Sequence, residues 1–202
     1  MPNVVLAAFS ARRILVMNIL SPLVIASLVS GLAMLAVFLP WVLAPARARA
    51  WLARFPRSLW PGRILAAVDV VWFAGYVLDA SLPWVDVNRW AVFLGAPLLL
   101  VVIVVLVDDL LAVRAFGALL LLAAQPLLDA AFPHASAWRL VLTTFAYVLV
   151  AVGCVLVWSP YLFRQVIVER LAGPRLARRM GVVGVGVGAF LVALGLGVYP
   201  WL

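Results

Sequence analysis

The sequence predicts an all-α fold, a polytopic transmembrane helical bundle of about six spans forming a single domain over 1–202. Three observations predict it. Of the 202 residues, 68% are hydrophobic and 11% charged, with a mean hydropathy of +1.24. A soluble domain averages about half apolar and about a quarter charged, so no water-facing surface can be assembled from this composition. The apolar runs are also continuous, as in "APLLLVVIVVLV", whereas a barrel strand alternates apolar and polar positions. Finally, hydrocarbon supplies no hydrogen-bond partner to the backbone, so a continuous apolar run must satisfy itself as a helix.

About 20 residues of helix cross roughly 30 Å of hydrocarbon. The expected spans are 19–42, 63–82, 90–107, 111–131, 139–158 and 180–199. Pro45, Pro56, Pro61, Pro83, Pro133, Pro160 and Pro174 fall at or between these ends, where helices stop. Pro97 and Pro126 lie inside spans and predict kinks. An unbroken helix from Trp90 to Ala131 would be about 60 Å long, twice the hydrocarbon thickness. The break falls in "VDDLLAVR", which holds Asp108, Asp109 and Arg114. Asp109 suits the N-cap of the next helix, and Arg114 can snorkel to the headgroups.

Charge gives the expected orientation. Arg47, Arg49, Arg54, Arg57 and Arg63 cluster after the first span, and Arg164, Arg170, Arg175, Arg178 and Arg179 precede the sixth. The positive-inside rule places connectors 46–62 and 160–179 in the cytoplasm. Loops 79–90 and 132–139, with Arg89 and Arg139, then face outside, as do both termini. Arg12 and Arg13 run against this order unless translation starts at Met17. Trp51, Phe55 and Trp60 interleave with the first cluster, and Tyr161, Phe163, Val166, Ile167 and Leu171 with the second. That mixture suits a segment in the headgroup layer, so Arg47, Arg49, Arg54, Arg57, Arg175, Arg178 and Arg179 are expected to touch anionic lipid.

The net charge is +8 and all fifteen cations are arginine. Without lysine there is no Schiff-base chemistry and no phosphate-loop lysine. The arginines act as topology signals within an apolar chain, and nucleic-acid binding is not expected. Cys154 stands alone and cannot form an internal disulfide. His134 has no companion ligand, so neither a metal nor a cofactor is expected.

Ionisable groups inside spans are costly and default to functional hypotheses. Asp69, Trp72, Tyr76 and Asp79 share one face of the second span; Arg114, Gln125 and Asp129 share one of the fourth; Thr143, Tyr147, Cys154 and Trp158 recur on the fifth. The expectation is that these stripes converge, with Asp69 paired to Arg114 and Asp108 competing for the arginine. The last span reads "MGVVGVGVGAFLVALGLG", in which Gly181, Gly184 and Gly188 allow another helix, or a second copy, to approach closely.

From Tyr147 to Gly197 a helix is followed by "SPYLF", an arginine-rich segment and "RRMG" opening a glycine-rich helix. This resembles the C-terminal hairpin of small uncharacterised bacterial inner-membrane proteins. The resemblance covers about a quarter of the chain and implies the bacterial inner membrane but no activity. The expected function is a non-enzymatic scaffold or accessory membrane subunit, contacting lipids and other membrane proteins. A small solute or proton-coupled transporter using the Asp/Arg site is the alternative, and a lipid-modifying membrane enzyme the third.

Overall fold

The computed structural model describes residues 21–80, 82–106, 110–163, 165 and 173–201, with Arg57 described by its backbone alone. Arg12, Arg13, Met17, Asp108, Asp109, Arg164, Val166, Ile167, Arg170, Leu171 and the Arg57 side chain lie outside what is described. The described residues are helical with no strand, and six of the helices are long and apolar enough to cross a membrane. The chain has the architecture of a multi-pass membrane protein.

Helix α1 spans Pro22–Leu43. Ser21 caps it by accepting a hydrogen bond from the Val24 amide at 3.4 Å, and Pro22 fits the first turn, where its missing N–H costs nothing. Pro40 lies inside the last turn, a position the sequence reading did not single out. Helix α2, Pro45–Arg54, runs on through the 3-10 turn Phe55–Arg57. Helix α3 is Leu59–Asp79, starting earlier than expected because Pro61 sits in its first turn, where no backbone donor is needed. The short α4, Pro83–Val87, leads to α5, Arg89–Leu106.

Leu110 separates α5 from α6, Leu111–Ala131, with φ of 60°. That left-handed conformation is normally taken by glycine or asparagine. Leu110 adopts it immediately before α6, where neither glycine nor proline stands. Helix α7 is Arg139–Trp158, and a single turn follows at Pro160–Leu162. Helix α8 spans Pro174–Gly197. Its start at Gly173–Pro174 puts Arg175, Arg178 and Arg179 on the helix itself, correcting their placement in a connector that reached residue 179.

The helices gather into two compact units. In the first, α1 and α8 pack along most of their length, joined by the end of α6 from Gln125 and by α7 up to Tyr147. Glycine makes this pairing possible. A Cβ placed on Gly188 would sit 2.9 Å from the carbonyl oxygen of Gly31, and one on Gly31 would sit 2.8 Å from that of Gly188. Gly181 lies against Trp41, Gly184 against the ring of Phe38, and Gly195 against Leu28. The contacts on α8 step by three and four residues, a near-seven-residue repeat that keeps one seam facing α1. The buried Ser27 hydroxyl crosses this seam to donate to the Leu191 carbonyl at 2.7 Å. At the end of α8 the Tyr199 hydroxyl donates to the Trp138 carbonyl at 3.0 Å.

The second unit holds α3, α4, α5, the start of α6 and the end of α7. Gly62 lets α3 meet α6, since a Cβ there would lie 2.9 Å from the Ala112 amide nitrogen. One turn on, Ala66 clusters with Leu111 and Ala115, flanked by Leu65, Leu100, Ile103 and Val104. Gly117 and Gly153 make a reciprocal crossing of α6 and α7: a Cβ on either would lie within 2.9 Å of the other's carbonyl oxygen. Phe55, at the end of α2, is buried against Phe116 and Phe163, each with ring centroids 6.2 Å away. Phe163, just beyond α7, is thereby held against the end of the α2 segment.

Two glycines two residues apart on α8 test the seam. Gly188→Ala should destabilise the protein by about 1–3 kcal/mol through overpacking against a backbone carbonyl. Gly186 has nothing within 4 Å of its would-be Cβ, so Gly186→Ala should be neutral or gain up to about 1 kcal/mol from helix propensity. Reversible unfolding in mixed detergent reads both; equal effects would rule out the glycine seam.

Candidate functional site

Each turn of α3 that faces inward carries a small or apolar residue, except one. Its buried positions are Gly62, Ala66, Asp69 and Val70, spaced as one helical face. Asp69 is 8% exposed, and neither carboxylate oxygen has a hydrogen-bond partner among the described residues. It follows Ala66 by one turn on the face that packs against the start of α6. One turn further along, Trp72 and Tyr76 are half-buried and stack on each other, ring centroids 6.4 Å apart at 24°. Asp79, at the helix end, is exposed.

The expected partner of Asp69 is elsewhere. On α6, Leu111, Ala112, Val113 and Ala115 are buried while Arg114 is exposed. The guanidinium therefore leaves the helix on the side away from the α3 contact, and the Asp69–Arg114 pair does not form. The physical reason is helical phase. Residues 111, 112 and 115 fill the face that meets Ala66 and Gly62, and a side chain at 114 points outward from it. The sequence placed Arg114, Gln125 and Asp129 on one face, and all three are exposed in the structure. That stripe turns away from protein. Gln125 donates to both oxygens of Asp129, at 3.1 and 3.3 Å, a bond within one helix.

The remaining polar candidates are dispersed. Tyr147 and Cys154 are exposed on α7, and Thr143 donates back to the Arg139 carbonyl four residues earlier. Gln125, Asp129 and Tyr147 belong to the first unit, whereas Asp69, Tyr76, Asp79 and Arg114 belong to the second. Asp108 lies outside the described residues. Near the loops, Arg89 pairs with Asp86 at 3.3 Å on an exposed turn, and Arg139 donates to the Phe132 carbonyl. No group of three or more metal-binding side chains occurs among the described residues.

No family model, curated protein or solved structure matches this chain.

The second feature with chemical character is cationic. Arg47, Arg54, Arg175, Arg178 and Arg179 are all exposed, and Arg49 is half-buried. On α2 and the turn after it, Ala48, Leu52 and Phe55 are buried, and Arg47, Trp51 and Arg54 are exposed along one flank, beside the exposed Ala46, Ala50 and Ala53. Sequence reasoning missed Ser27, Gly31, Gly117 and Gly153, which hold helices together. The glycines were visible as small residues in mid-span, but nothing in their local sequence named their partners.

A double-variant cycle tests the isolation of Asp69. Asp69→Val removes two buried oxygens that have no protein partner among the described residues, and it should stabilise the protein by about 1–3 kcal/mol. Arg114→Leu should change stability by less than about 0.5 kcal/mol, as an exposed position does. The two should add, because they do not interact. Unfolding titrations of the four proteins read the outcome, and a coupling above about 1 kcal/mol would restore the ion pair.

Proposed function

We propose that this protein is a non-enzymatic component of a bacterial inner membrane, a scaffold or accessory subunit that packs laterally against another membrane protein. The arginine-rich segments lie on the cytoplasmic side in this reading, following the positive-inside rule. The observation that supports it most directly is α5. This helix buries no residue fully, although it is among the most apolar of the six. Its inner edge, Leu100, Ile103 and Val104, touches the Ala66 cluster. Its opposite edge, Leu94, Leu98, Val101 and Val105, recurs at steps of four, three and four and is exposed throughout. Apart from the edge that packs along α3, this helix directs its apolar surface outward.

One observation favours a second reading, proton-coupled transport. An ionisable group in the interior of a span is expensive. Asp69 is not neutralised by the arginine that would have made it structural, so a carboxyl that takes up and releases a proton accounts for its presence.

A photoreactive residue at Leu98 separates the two. On the first reading it should crosslink in cells to one discrete membrane protein, and the same probe at Val71 on α3 should not. Lipid adducts alone at Leu98 would overturn the subunit reading. On the second, purified protein in liposomes should pass protons under an imposed potential, and Asp69→Asn should abolish the flux. Flux that is unchanged in the variant would remove Asp69 from any such path.

A further inference from the structure

We infer that α2 is an anionic-phospholipid-binding helix lying along the membrane–water boundary, with Arg47 and Arg54 taking lipid phosphate on either side of Trp51. The stretch 45–58 contains four arginines and no acidic residue. A helix solvated by water on its outer side ordinarily mixes both signs of charge, and a stretch of one sign seeks the opposite one.

Helical phase sorts the residues. Ala48, Leu52 and Phe55, spaced by four and three, are buried. Arg47, Trp51 and Arg54, also spaced by four and three, form a stripe along one flank of the exposed surface, beside the exposed Ala46, Ala50 and Ala53. The arginines are two turns apart, about 10 Å along the axis, so they reach separate phosphates rather than clamping one. The guanidinium fork matches phosphate geometry and is weakly hydrated, which suits the headgroup layer better than an ammonium would.

Depth comes from Phe55. Its ring packs against Phe116, five residues into α6, and against Phe163, five residues beyond the end of α7. Both neighbours mark where a span ends, so Phe55 fastens α2 at that level. Trp51 is 63% exposed with its ring 5.2 Å from that of Phe55. An indole left uncovered at the end of a bundle belongs to the interfacial aromatic belt, where its apolar body and polar N–H are both accommodated. Phe55 sets the depth, Trp51 occupies the interface at that depth, and the flanking arginines choose the headgroup.

Brominated lipid tests this directly. The protein is placed in nanodiscs of mixed phosphatidylcholine and phosphatidylglycerol, with either lipid brominated in turn. The Trp51 signal is obtained as the difference between wild type and Trp51→Phe. Brominated phosphatidylglycerol should quench it preferentially. Each arginine near an anionic surface is worth roughly fivefold, so in Arg47→Gln/Arg54→Gln the preference should fall by roughly 25-fold. Arg47→Lys/Arg54→Lys, which keeps the charge, should retain most of it and serves as the folding control. Equal quenching by both lipids in wild type, or a preference that survives in the glutamine variant, overturns the proposal. A soluble polyglutamate peptide added to pure phosphatidylcholine nanodiscs should leave Trp51 emission unchanged. A shift there, without lipid preference, would give the stripe to an acidic protein partner instead.

Discussion

Helices surrounded by hydrocarbon gain nothing from burying apolar side chains against one another, because lipid tails are as apolar as leucine. What holds such helices together is close approach, where dispersion contacts accumulate over a long seam. Both units of this protein depend on that constraint, and both meet it with glycine. In the first, Gly31 and Gly188 bring the backbones of α1 and α8 into contact; in the second, Gly117 and Gly153 do the same for α6 and α7. The buried Ser27–Leu191 hydrogen bond crosses the first seam where the chains are already close. Polar glue of this kind is worth only about 0.6–2 kcal/mol in membranes, so it fixes register on a pairing that glycine has made possible.

Asp69 stands apart from this logic. The other buried polar side chains among the described residues, Ser27 and Ser30, each donate to a backbone carbonyl, Ser30 to that of Ala26 in its own helix. Asp69 shares the inward face of α3 with Gly62 and Ala66, residues whose smallness brings α6 near, yet has no comparable partner. A structural explanation of this carboxyl required a cation, and Arg114 is directed the other way. Stability alone would favour an apolar residue at this position.

Much of the architecture was legible because hydropathy and proline act locally. The ends of α6 and α7 follow directly from Leu111, Ala131, Arg139 and Trp158, where apolar runs meet charged or turn-forming residues. α3 and α8 start earlier than their apolar runs predict, because Pro61 and Pro174 do not end a helix here; each occupies a first turn, where proline is tolerated. The polar site was far less legible. Sequence spacing correctly grouped Arg114, Gln125 and Asp129 on one face, but spacing carries no information on which way that face turns. Rotation about the α6 axis is set by Ala112, Ala115 and Gly117, which must face their neighbours for the helices to approach. The small residues decided the orientation, and the charged ones followed.

The pairing of α1 with α8 joins helices separated by about 130 residues of intervening chain. Synthesis proceeds at roughly 5–20 residues per second, so α1 leaves the ribosome on the order of ten seconds before its companion exists. Throughout that interval the flat glycine surface at Gly31 has only lipid or the insertion machinery against it. The second unit, whose helices follow one another more closely, can assemble meanwhile, and α8, made after them, is the helix that closes the first.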